Sequence, residues 1–107
     1  MDSYILEVLI DEKERAIRMI NTYEKEIDNL PKGTISIKNI NEKSYNYLIY
    51  RKNGKKVSDY IKTDELDEIK KQLDKRNKLI NVVNRLKIDL KIMNNAISYG
   101  NKLISTK

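Results

Sequence analysis

The chain has no cysteine, no histidine, no tryptophan and no phenylalanine. Without cysteine there is no disulfide, no thiol nucleophile and no thiolate metal site. Without histidine it lacks the commonest general base and the commonest transition-metal ligand. A Cys/His zinc site is therefore impossible. Without Trp or Phe, Ile and Leu must fill most of the interior. Three glycines supply no Gly-rich phosphate loop. The five arginines, Arg15, Arg18, Arg51, Arg76 and Arg85, are too widely spaced to surround a nucleophilic tyrosine. No apolar run approaches the length of a membrane span. The start, Met-Asp-Ser-Tyr-Ile-Leu-Glu, lacks a basic segment followed by an apolar one, so no signal peptide is expected. These absences lead us to expect a cytoplasmic protein with no enzymatic activity, no cofactor, no metal and no membrane association.

What is present is charge, and its distribution is uneven. The 107 residues carry a net charge of +6. Residues 1–30 hold four basic and eight acidic side chains, residues 31–62 eight and two, and residues 63–107 ten and six. The middle is thus a basic island, and it also holds four of the seven tyrosines. Charged residues make up 36% and the apolar set 39%, apolar enough to fold but too charged for a deep core. Such a chain suits paired helices that each bury one stripe. At this length a single domain over 1–107 is expected. The richness in Lys, Ile and Asn suggests an AT-rich coding sequence, as in a low-GC bacterium or its phage.

The first helix is expected from about Ser3 to Asn29, filling segment 1–30. Leu6, Leu9, Ala16, Ile20, Tyr23, Ile27 and Leu30 follow steps of three and four, with Lys13 in one apolar slot. Val8, Ile10, Ile17 and Met19 widen the stripe, as if the helix touched more than one neighbour. Asp2 or Ser3 can cap its start, and Pro31 ends it. Its acidic residues Asp11, Glu12 and Glu14 interleave with Lys13 and Arg15, without the spacing of a calcium loop.

Residues 33–62 read as a three-stranded β-meander. Asn53-Gly54 signals a two-residue hairpin, because a type I′ turn needs positive φ at both positions. That hairpin pairs Tyr50 with Val57, Leu48 with Asp59 and Tyr47 with Tyr60. A first turn at Glu42-Lys43 would pair Ile37 with Leu48 and Ile35 with Tyr50. One face then carries Ile35, Ile37, Leu48, Tyr50, Val57 and Ile61, and should lie on the helices. The other is basic and aromatic, with Lys38, Tyr45, Tyr47, Arg51, Lys56 and Tyr60.

A second helix is expected over 63–99, with Thr63 as N-cap, Gly100 as stop signal and a frayed tail over 100–107. At 1.5 Å per residue it would run roughly 50 Å. Its stripe is Leu66, Ile69, Leu73, Leu79, Val83, Leu86, Leu90, Met93 and Ile97. Arg76 interrupts it and the spacing shifts near Leu79, where a bend or a change of partner is expected. Asp67–Lys71 and Asp74–Lys78 are i,i+4 ion pairs. The fold class is therefore α+β: long helix, three-stranded antiparallel meander, long helix. The two helices should form an antiparallel, coiled-coil-like hairpin. The excess length of the second helix leaves a stripe that needs a cover, which suggests a homodimer through it or another partner.

The candidate binding residues are Tyr45, Tyr47, Tyr60, Lys38, Arg51, Lys52, Lys55 and Lys56. A β-ribbon can enter a DNA groove, and a flat sheet can stack single-stranded bases on aromatic rings. Lysines on a sheet edge also serve simply to block aggregation. The expected partner is DNA or RNA, or a protein that itself binds nucleic acid, such as a nuclease.

Leu30-Pro31-Lys32-Gly33, Tyr45-Asn46-Tyr47-Leu48-Ile49-Tyr50-Arg51, Gly54-Lys55 and Tyr60-Ile61 together resemble a pattern in short helix–meander–helix proteins of low-GC bacteria and their mobile elements. The resemblance spans residues 30 to 80 and implies no active residues. Three strands followed by a helix, with the Tyr-x-Tyr-x-x-Tyr-Arg texture, also look like the arm-type DNA-binding module of phage integrases. In size and style the chain is similar to phage inhibitors of host nucleases, including anti-CRISPR proteins. That similarity implies an alternative role as inhibitor of a CRISPR nuclease.

Overall fold

The computed structural model describes residues 3–105. The first helix, α1 (Tyr4–Asp28), starts where Ser3 accepts the Leu6 amide on its Oγ at 3.3 Å. Ser3 is thus the N-cap, and Asp2 lies outside the described residues. Along α1, Leu6, Ala16 and Ile20 are buried while Leu9, Lys13, Met19, Tyr23 and Ile27 are half-buried. The expected stripe is the packed stripe, with the Lys13 stem included. Long basic side chains can line apolar surface while the ammonium stays in water.

Strands β1 (Thr34–Ile40), β2 (Lys43–Lys52) and β3 (Lys55–Ile61) form one antiparallel sheet in the order β1-β2-β3. The second hairpin has the expected register, with Tyr50 opposite Val57 and Tyr47 opposite Tyr60. Asn53 and Gly54 have φ of 54° and 78°, as a type I′ turn requires. The first hairpin corrects the expected register by two residues. Its turn is Asn41-Glu42, both at positive φ, so Ile35 pairs with Leu48 and Ile37 with Asn46. Asn tolerates the left-handed region and lies one residue before the turn expected at Glu42-Lys43. A slip of two keeps every side chain on its expected face. On the apolar face Ile61 is 2% exposed, Leu48, Tyr50 and Val57 are half-buried, and Ile37 is 64% exposed. Coverage of that face is therefore uneven.

A 3-10 turn (Thr63–Glu65) leads into α2 (Leu66–Ser105), a helix of 40 residues. Thr63 belongs to that turn instead of capping the helix, and no side chain caps the turn. Gly100 does not stop α2. It is helical and half-buried, and a Cβ added there would come within 2.5 Å of Leu6 Cδ2. Gly100 therefore marks a close packing of α2 on α1, and the expected frayed tail is helix as far as Ser105. Of the two expected ion pairs, Asp74–Lys78 closes at 3.0 Å and Asp67–Lys71 does not.

The chain divides into two compact units. One joins the chain through Ile27 to the chain from Leu79 onward, and the other is Asp28–Lys78. The division falls where the α2 stripe shifts spacing. Before it, Leu73 lines a cleft with Gly33, Thr34 and Ile35. After it, Leu86 and Met93 line a cleft with Leu9 and Ala16 of α1. Helix α2 thus changes partner at the break in its pattern. In the helical unit the pairing is antiparallel. Leu6 meets Gly100 near one end, and Glu24 bonds Lys87 at 3.5 Å toward the other. No helix among the described residues is long and apolar enough to cross a membrane.

Candidate functional site

The outward face of the sheet is built by alternation. Residues Lys38 on β1, Tyr45, Tyr47, Ile49 and Arg51 on β2, and Lys56 and Tyr60 on β3 share one side. Tyr47 and Tyr60 are direct cross-strand partners, with ring centroids 5.8 Å apart in an edge arrangement. Tyr45 meets Tyr60 diagonally at 6.3 Å. The Lys38 ammonium sits over the Tyr47 ring, 4.7 Å from its centroid. Edge-to-face pairs suit the aromatic quadrupole, and a cation over the ring face adds to them. The result is a row, Lys38–Tyr47–Tyr60–Tyr45, in which Tyr60 remains 54% exposed.

The hairpin tip holds the remaining four candidates in two rungs. Arg51 lies opposite Lys56, and Lys52 opposite Lys55. The first rung shares the tyrosine face. The second, by alternation, points to the other side, so the tip is cationic on both faces. All four side chains belong to exposed residues. Arg51 donates one hydrogen bond, from Nη1 to the Gly54 carbonyl at 3.4 Å, which leans it toward the turn.

The only carboxylate within the three strands is Asp59. It lies opposite Leu48, on the other face from Arg51 and Lys56, and accepts the Tyr50 hydroxyl on its Oδ2 at 2.7 Å. Tyr50 lies on the apolar face as expected and is half-buried, with its hydroxyl bonded within the sheet. That hydrogen bond, followed by desolvation and the Asp59 charge, raises the Tyr50 pKa above the usual phenol value.

Beside the first rung lies a depression of about 400 Å³, lined by Gly33, Thr34, Ile49, Tyr50, Arg51 and Lys56. Sequence reading missed its Gly33 and Thr34 wall, because the slipped register placed Thr34 opposite Arg51. The observed register sets Thr34 opposite Ile49. Asn41 was the available signal. Gly33 has φ of +128°, and a Cβ there would overlap the Ile49 carbonyl oxygen. Only glycine lets the chain enter β1 so close to β2. Among the described residues, no group of three or more Asp or Glu could hold a metal ion.

A family model, the domain of unknown function DUF6788, matches residues 6–71. That is more than half of the chain, and it includes the whole sheet. The chain belongs to this family. The matched stretch takes in the tyrosine row, both cationic rungs and the Gly33 entry, and it ends early in α2. No curated protein and no solved structure matches the chain.

Proposed function

We propose that the protein is a non-enzymatic, cytoplasmic binder of nucleic acid, free or within a nucleoprotein, and that the β2–β3 hairpin is the contacting element. The observation that carries this reading is the pair of like-charged rungs, Arg51 opposite Lys56 and Lys52 opposite Lys55. Like charges directly opposite across strands destabilise a hairpin. Among the described residues none of the four cations has an ion pair, and the one carboxylate in the strands, Asp59, lies opposite Leu48 rather than at the tip. A polyanion offsets them. Phosphates flanking the tip would meet a rung on each face, as when a β-ribbon enters a groove. The half-exposed Tyr60 ring and its neighbours would then lie against sugar or base. A duplex fits this straddled tip better than a single strand does.

Fluorescence anisotropy with labelled duplex and single-stranded oligonucleotides tests the reading over a salt series. Binding should weaken as salt rises, since each neutralised phosphate releases counterion. Arg51→Ala with Lys56→Ala should flatten the logarithmic salt slope by about 1.8 on duplex. Tyr60→Ala should lower affinity and leave that slope in place. No binding to either oligonucleotide at low salt would overturn the proposal.

A further inference from the structure

The two edges of the sheet are built differently. In the order β1-β2-β3, strands β1 and β3 each leave one side without a neighbouring strand. Counting back from the Ile40–Lys43 pair that closes the first turn, the ladder to β2 uses the backbone groups of Thr34, Ser36, Lys38 and Ile40. The N–H and C=O of Ile35, Ile37 and Asn39 therefore point away from the sheet. Among the described residues, no backbone hydrogen bond from outside the sheet reaches them. On β3 the same count, from the Lys52–Lys55 pair, leaves Lys56, Ser58 and Tyr60 pointing outward.

Sheets guard such edges with lysines, with charges on the inward face, with proline or with bulges. Strand β3 has the first two: Lys55 and Lys56 at its start, and Asp59 on the apolar face. Strand β1, Thr-Ile-Ser-Ile-Lys-Asn-Ile, has no proline, and its pairing with β2 runs from Thr34 to Ile40 without a bulge. Its apolar face carries Ile35, Ile37 and Asn39 and no charge. Its single charge, Lys38, leans inward over the Tyr47 ring of β2, away from the open side. Ile37 and Ile40 are 64% and 49% exposed. The open side of β1 is thus a template for another strand.

The order of residues in β1 selects that strand. A second copy of β1, antiparallel and centred on Ile37, sets every outward-pointing residue against another: Ile37 against Ile37, and Ile35 against Asn39. The whole strand is then paired, and Lys38 faces Ser36 of the other copy. Centring on Lys38 would set two lysines opposite each other, which is unfavourable. Centring on Ser36 would leave Asn39 and Ile40 unpaired. A second copy is also already held extended by its own β2, so it loses less chain entropy on pairing than a free peptide does. The cationic tips do not oppose the pairing. Each lies beyond the Thr34 end of its own β1, so the two fall at opposite ends of the joined sheet.

The geometry points to a homodimer in which the two β1 strands pair antiparallel about Ile37 and join the two sheets into one. Each copy has one unguarded edge, so assembly closes at two. The dimer stands or falls independently of nucleic-acid binding, because its readout is mass alone.

Light scattering and sedimentation equilibrium on the full chain without nucleic acid, over a range of concentrations, test it. The expected mass is twice the 12.6 kDa of one chain. Ile37→Pro removes an N–H that the β1–β2 ladder does not use, so circular dichroism should be kept while the dimer dissociation constant rises by about tenfold or more. The sharper test uses the position that pairs with itself. Ile37→Lys and Ile37→Glu, at an exposed site, each set like charges directly opposite, and each should be monomeric. Mixed in equal amounts the two variants should dimerise again, since a lysine then faces a glutamate. A native chain that stays monomeric at every concentration overturns the proposal, as does a dimer unmoved by both charge variants. Variants that dissociate singly but fail to reassociate when mixed overturn the pairing about Ile37.

Discussion

The helical unit and the sheet use charge in opposite ways. Between α1 and the second half of α2 the balances are −3 and +3, so the helices attract each other and cancel. Across β1 to β3, from Thr34 to Ile61, six basic side chains face two acidic ones. One of those two, Asp59, accepts a hydrogen bond from Tyr50 on the face away from Arg51 and Lys56. The helices are arranged as a scaffold would be, with apolar stripes inside and compensated charge outside. The sheet departs from that economy at its hairpin tip, where like charges sit opposite each other. A fold stabilised throughout would not place them so. That difference is the reason we propose the hairpin tip, rather than the helices, as the binding surface.

The contrast can be broken first in the helices. Leu6 is buried against Gly100. Leu6→Ala should destabilise the protein by about 2–5 kcal/mol in chemical denaturation. Gly100→Ala on its own gains helix propensity but crowds Leu6, and the two effects should nearly cancel. In the Leu6→Ala background the crowding is gone, so Gly100→Ala should then stabilise. Additive effects in this double-mutant cycle would show that the two residues are not in contact.

In the sheet the corresponding position is Gly33. Gly33→Ala meets a backbone carbonyl that cannot step aside, at a φ that side chains rarely adopt. A loss of about 1–3 kcal/mol is expected from the backbone conformation alone. Gly54→Ala, with nothing near its Cβ, should cost less. Equal losses at the two glycines would remove the case that Gly33 is fixed by close approach.

Much of this architecture was legible in the sequence. Stripes of three-and-four spacing on both helices, the break near Leu79 and the Asn53-Gly54 turn all carry local signals, and each appears in the structure. What was misread depends on contacts distant in sequence. Gly100 reads locally as a helix stop, but its role is set by Leu6 across the pair. The first hairpin's register turns on which residues accept positive φ, and Glu42 at 67° is an unusual choice. The eight candidate residues could be picked out because strand alternation and charge are visible in one dimension. Their arrangement was not: the Lys38–Tyr47 contact, the edge-packed tyrosines and the Tyr50–Asp59 hydrogen bond depend on register and rotamer.

A smaller effect separates folding from binding at one residue. Lys56→Glu replaces a like-charged rung with an Arg51–carboxylate pair. The sheet should become more stable, by about 0.2–1 kcal/mol, and oligonucleotide binding should be lost. Thermal denaturation and anisotropy on the same preparation give the two readouts. Should the variant instead be less stable, or bind as before, the opposed cations would not be the feature that ties this hairpin to a polyanion.

The finest prediction concerns the Tyr50 hydroxyl that donates to Asp59. Its pKa is raised in the folded chain, chiefly by the hydrogen bond to Asp59. The folded state therefore holds this proton more tightly than the unfolded state does. The associated stability is fully present below the ordinary phenol pKa of about 10, and it is lost as pH rises through the folded value. Denaturation midpoints measured across that alkaline range should fall more steeply for the native chain than for Tyr50→Phe, which has no proton to lose there. At neutral pH the same substitution leaves the Asp59 charge in place but removes the hydroxyl dipole directed at it, so that carboxylate should lower the sheet's positive potential slightly more. A small loss of oligonucleotide affinity at low salt, fading as salt rises, would show that Tyr50 helps keep the sheet's charge unbalanced. Parallel alkaline slopes for the two proteins would show that the hydroxyl does not hold Asp59 in solution.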